Sequence, residues 1–178
     1  MGGYLHSVAS TLWLRDLPGI MPSKQQRLAQ LQGDWTESRI SVSLQAGIKN
    51  PAKIITDWDA YYMLLSIWDM DLLPLQEQFF VVFLNNRQQV IGWRVLNIGS
   101  METCVIDIRL LVSLTLHCMA SYAILAHNHP SGILQASVND KASTFTIRKA
   151  LRLIDVQLFD HLIISADGYL SMRVEGLI

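Results

Sequence analysis

The sequence predicts an α/β (α+β) fold: a mixed β-sheet flanked by helices, built as a sandwich. Three observations point there. Phe79–Leu84 is an unbroken apolar run of strand length, as expected of a central strand buried on both faces. Segments of strand length are joined across polar turns at 85–87 and 166–168, which is hairpin punctuation. Longer stretches with apolar residues at helical spacing lie between them. The 178 residues suffice for one domain with a sizeable core.

The elements follow in order. Residues 1–38 differ from the rest. Leu17-Pro18-Gly19 and Met21-Pro22-Ser23 are breakers, and Lys24–Gln32 is polar with a few leucines. This part is expected to be a poorly ordered N-terminal extension, with the folded domain at 39–178. Ile40–Leu44 alternates as an edge strand would. Asn50-Pro51 makes a turn, and Thr56 with Asp59 can cap a helix through about Trp68. Tyr61, Leu64, Leu65 and Trp68 fall at helical spacing and form a core stripe. Past Pro74 comes the strand at 78–84. Asn85-Asn86-Arg87 then turns the chain into a partner strand over Gln89–Asn97.

Asp107 can cap a helix to about Ala120, and Tyr122–Ala126 is the next strand. Val138–Ile154 reads as a long helix with Phe145, Ile147, Leu151 and Ile154 turned inward. Leu158–Ser165 and Gly168–Met172 close the sheet as a hairpin.

Composition excludes several classes of function. Apolar residues make up 51% and the formal net charge is −1. Neither favours direct binding to nucleic acid or to an acidic membrane surface. The two cysteines, Cys104 and Cys118, make no disulfide framework and suit packing as small apolar residues. Arg15-Asp16 breaks the apolar stretch at Leu12–Leu14, so no signal peptide is expected. No run reaches the roughly 20 apolar residues of a membrane span. A cytoplasmic location is expected, and nothing sets the oligomeric state.

The chemistry concentrates at 127–140. His127-Asn128-His129-Pro130-Ser131-Gly132 is followed by Ser137 and Asp140. If the Tyr122–Ala126 strand continues, His127 and His129 point to one face and Asn128 to the other. Pro130 and Gly132 end the strand. Ser137 can cap the next helix and places Asp140 in its first turn. Two imidazoles and a carboxylate could thus converge on one cation. Zinc suits them best, and with three protein ligands evident the fourth position would hold water, the pattern of a catalytic site. His161, beside Asp160 at a strand start, is a candidate support for the site. His6 and His117 are not candidate ligands.

A hydrolase of this kind also needs a base. The chain has four glutamates, Glu37, Glu77, Glu102 and Glu175. Glu77 opens the buried strand and can approach the metal, so it is the first choice. Glu102, in the connection after the next strand, is second.

These residues resemble a known family. E…H-x-H-x7-S-x2-D is the JAMM motif of the MPN (JAB) metallopeptidases, and its context resembles the bacterial RadC-like branch. The matching stretches are Gln76-Glu77-Gln78-Phe79, Ala123–Gly132 and Asp160–Ile164. Asp167-Gly168-Tyr169 and Glu175-Gly176-Leu177 look alike as well. The resemblance covers roughly residues 40–178, which is the extent of the motif context. It implies an MPN/JAB-like, cytidine-deaminase-like sandwich. It implies one Zn2+ per chain on His127, His129 and Asp140, with Glu77 as general acid/base and Ser137 stabilising the oxyanion. The implied reaction is attack of water held on zinc on an amide carbonyl of a peptide or isopeptide substrate.

Two departures stand out. Ala136 replaces a common proline before the motif serine, and Asp107-Ile108-Arg109 replaces Asp-Pro-Arg. Proline at a helix start helps but is not required. No Gly-rich helix-hairpin-helix segment precedes Glu77, so DNA binding is not carried over. The alternative function is a metal-binding RadC-like module that acts in DNA repair or recombination through a partner, without peptidase activity. A metal nuclease is a weaker third, because basic groups do not cluster at 127–140 to hold phosphates. Lys141, Arg148, Lys149 and Arg152 follow along one helix.

Overall fold

The computed structural model describes residues 50–99 and 106–178. Over those residues the elements are α1 (Asp57–Ile67), β1 (Glu77–Leu84), β2 (Val90–Gly99), α2 (Ile108–His117), β3 (Tyr122–Asn128), α3 (Val138–Arg152), β4 (Gln157–Ser165) and β5 (Gly168–Ser171). The expected extension at 1–38, the Ile40–Leu44 strand, Cys104 and the second-choice base Glu102 lie outside the described residues. No helix among the described residues is long and apolar enough to cross a membrane.

The five strands form one mixed sheet in the order β2-β1-β3-β4-β5. β1 pairs antiparallel with β2 and β3, and β5 pairs antiparallel with β4. β3 and β4 are parallel, and α3 makes the crossover such a pair needs. The sheet is sandwiched. The even-numbered residues Phe80, Val82, Leu84, Ile124, Ala126, Leu162 and Ile164 pack with Leu64 and Trp68 of the α1 segment. The odd-numbered Phe79, Val81, Phe83, Ala123 and Leu125 pack with Leu111 of α2 and Ile147 and Leu151 of α3. β1 and β3 are apolar at nearly every position because both their faces are covered. This parity assigns the chemistry to sides: His127 shares the α2/α3 face, and Asn128 the α1 face.

Local signals act where they were read. Thr56 and Asp59 form a reciprocal capping box on α1. Asp107 caps α2 by accepting from the Arg109 and Leu110 N–H groups. That helix stops at His117 rather than near Ala120, and Met119 follows at φ 51°. One inward expectation is corrected. Phe145 is 56% exposed, and Thr144 is the fully buried residue of that turn. The helix is rotated so that the Asp140–Thr144 edge, one turn apart, faces the sheet.

Candidate metal centre

The sheet register builds this site. β1 and β3 run antiparallel with Phe79 opposite His127. Continued by two residues, the same register sets Glu77 opposite His129. β3 ends at Asn128, yet the His129 N–H still donates to the Ile164 carbonyl at 2.9 Å. His129 therefore stays in line while the chain begins to turn. Gly132 closes that turn at φ +79°, its N–H donating to the His129 carbonyl at 2.9 Å. An added Cβ would meet only open space and one atom at 3.9 Å, so the backbone angle, not crowding, calls for glycine here.

Asp140 is delivered by the helix start. Ser137 and Asp140 form a capping box: the Ser137 Oγ accepts from the Asp140 N–H at 3.1 Å, and Asp140 Oδ2 accepts from the Ser137 N–H at 2.7 Å. One motif thus starts α3 and orients the carboxylate. The Ser137 side chain also lies close enough to the Asp140 carboxylate to stabilise its charge, and Ser137 lines the cleft.

His127 Nε2 lies 3.0 Å from His129 Nε2 and 3.3 Å from Asp140 Oδ1, and His129 Nε2 lies 3.6 Å from Asp140 Oδ2. Four-coordinate zinc with bonds of about 2.0–2.1 Å needs ligand atoms about 3.3–3.4 Å apart. The three distances straddle that value.

The hydrogen bonds behind these atoms decide which nitrogens carry protons. His129 Nδ1 faces the Ile133 carbonyl at 2.7 Å, so Nδ1 carries the proton and donates. The Thr144 hydroxyl donates to the Asp140 carbonyl, so its oxygen accepts from His161 Nδ1 at 2.6 Å. His161 is fully buried, and burial pushes its pKa well down, which keeps the ring neutral. Its Nε2 is then an acceptor and takes the proton of His127 Nδ1 at 2.8 Å. In their neutral forms both Nε2 atoms present bare lone pairs, aimed at each other and at a carboxylate. Such a donor set calls for a cation, and it fits zinc.

The electrostatics agree. Burial works to raise the Asp140 pKa, but the His127, His129 and Ser137 interactions outweigh it and hold the carboxylate well below its ordinary range. Asp140 is the chief cause that raises the His129 pKa, against burial, with a smaller contribution from the Glu77 charge. Glu77, His127, His129, Ser137 and Asp140 all line one cleft of about 1030 Å3. Phe79 stacks over the His127 ring, with centroids 5.9 Å apart and planes within 6°.

Two features went beyond the sequence reading. Thr144 was not singled out, although it stands one turn after Asp140 on the same helix edge. Asn128 was placed only on the opposite face. It is fully buried there, and its Oδ1 accepts from the Gln78 N–H at 2.7 Å. Its Nδ2 donates to the Leu73 and Gln76 carbonyls at 2.6 and 2.8 Å. The residue between the two histidines therefore clamps the backbone on both sides of Glu77.

Residues 55–177 match the family model of the RadC-like JAB domain. A UPF0758 protein of Delftia acidovorans is 34% identical over 165 residues, 93% of this chain and 70% of that protein. A UPF0758 protein of Flavobacterium johnsoniae is 40% identical over 125 residues, 70% of this chain and 53% of its own length. One from Paracidovorax citrulli is 30% identical over 182 residues, 71% of its length.

Proposed function

The chain belongs to the RadC-like JAB domain family, and on that premise we propose that it is a zinc-dependent hydrolase of amide bonds, a metallopeptidase or isopeptidase. Three bare acceptor atoms at tetrahedral spacing, with Glu77 in register beside them, carry this reading.

His127 and His129 would hold the ion through Nε2, and Asp140 through a carboxylate oxygen. Zinc bound there would supply a Lewis acid that lowers the pKa of a water molecule to about 7. Glu77 would accept the proton of the attacking water and return it to the leaving amine. The clamp from Asn128 fixes the backbone on both sides of Glu77, which supports this role. Ser137, already accepting from the Asp140 N–H, would donate its own proton to the developing oxyanion.

The test compares zinc-loaded wild type with Glu77→Gln on a mixed peptide and isopeptide library. Cleavage by wild type alone, with equal zinc in both proteins, supports the assignment. Cleavage that survives in Glu77→Gln would remove Glu77 from its role. Full zinc occupancy with no cleavage of any library member would favour a metal-binding module.

A further inference from the structure

The basic residues that follow the site form one continuous track. At 3.6 residues per turn, Lys141, Phe145, Arg148, Lys149 and Arg152 fall within a single face of α3. Lys141 lines the metal cleft at one end. Arg148 and Arg152 line a second cavity of about 440 Å3 at the other, with Asp155 and Gln157. Phe145 stands exposed between them, and Lys149 Nζ lies over its ring at 4.3 Å. Among the described residues none of these four cations has an ion-pair partner, and Asp155 reaches neither arginine.

Helix stability explains only part of this. Lys149 and Arg152 sit in the last turn, where the helix dipole favours positive charge. Lys141 sits near the first turn, where it is disfavoured, and Arg148 and Arg152 repel each other one turn apart. An external anion would offset both costs.

We propose that the outer face of α3 is a docking track for an acidic segment of the substrate, leading from the metal cleft to the Arg148–Arg152 cavity. This rests on the amide-hydrolase reading and narrows it to a substrate class. Lys141 to Arg152 spans about 17 Å of helix. Extended peptide covers that distance in about five residues. Asp or Glu is therefore favoured within about five residues of the scissile amide. Peptide suits the track better than a nucleic acid backbone. At its cleft end the site reads as one for an amide carbonyl, which a peptide supplies and a nucleic acid backbone does not. The formal net charge of the chain, −1, also gives no general attraction for polyanions.

The test measures binding apart from catalysis. Zinc-loaded Glu77→Gln protein is titrated against a fluorescein-labelled, glutamate-rich hexapeptide, and fluorescence anisotropy is read. A lysine-rich hexapeptide and a short oligothymidylate serve as the other arms. The acidic peptide should bind best. Arg148→Glu with Arg152→Glu should weaken it roughly tenfold. Raising salt from about 50 to 300 mM should weaken it as well. Arg152 is exposed and Arg148 is half-buried with no ion-pair partner among the described residues, so circular dichroism should be unchanged. Equal binding by the double variant overturns the proposal. So does tighter binding of the oligothymidylate, which would make nucleic acid the partner. Cleavage of neutral peptides with no acidic preference overturns the track and leaves the hydrolase reading standing.

Discussion

Replacing Asn128 by alanine should separate metal binding from catalysis. The side chain makes three hydrogen bonds to the backbone at Leu73, Gln76 and Gln78, all from a fully buried position. Truncation strands two carbonyls and one N–H. An unsatisfied buried group costs about 1–3 kcal/mol, and partial hydration softens the sum, so the loss should be about 3–4 kcal/mol. At roughly 2–4 °C per kcal/mol for a chain of this size, the melting temperature should fall by about 6–15 °C. The segment carrying Glu77 loses its clamp on both sides. A displacement near 1 Å would lower kcat about 100-fold. The histidines keep their own supports, since the His129 N–H bond to Ile164 and the β3–β4 pairing are untouched. Zinc affinity should therefore stay within about threefold, which is under 1 kcal/mol. Thermal denaturation, zinc titration and peptide cleavage read the three quantities. A melting temperature within about 2 °C of wild type, or a zinc affinity loss above about tenfold, would refute the reasoning.

Two other substitutions address separate links. His161→Leu removes both the acceptor for His127 Nδ1 and the donor to Thr144, and should weaken zinc binding about 10–100-fold. His161→Gln can supply both groups and should retain most of the affinity, so equal losses in zinc titrations would exclude the proton assignment drawn through this ring. Asp59→Ala removes half of the α1 capping box and should cost roughly 1 kcal/mol at neutral pH. The Asp59 pKa is lowered below 3.8, first by the Thr56 N–H. Its folded value is thus below its unfolded one, so its contribution is present above the unfolded value and fades as pH falls through the folded one. Urea melts of the two proteins should converge below about pH 4, and a constant gap would contradict the sign.

Much of the scaffold was legible because the signals are local. The apolar run at Phe79–Leu84, the Thr56–Asp59 cap, and the alternation that separates His127 and His129 from Asn128 each need only a few neighbouring residues. Ser137 and Asp140 were legible twice over, as a helix cap and as a candidate ligand with its neighbour. The rest depends on long-range register. Nothing near Asn128 in sequence shows that Gln76 and Gln78 come opposite it, about 50 residues away. His161 reaches His127 because β4 lies parallel to β3 with Leu125 beside His161, a pairing no local pattern contains. Phe145 was expected inward on apolar character alone. The geometry that brings Asp140 and Thr144 to the sheet leaves it outside.

The central claim is a single zinc on His127, His129 and Asp140 with a coordination position left open. Anomalous diffraction at the zinc edge, from crystals of zinc-loaded protein, tests it most directly. The expected result is one strong peak per chain, about 2.0–2.2 Å from both Nε2 atoms and an Asp140 oxygen, with no fourth protein side chain. A peak elsewhere, a fourth protein ligand closing the site, or no peak would contradict it.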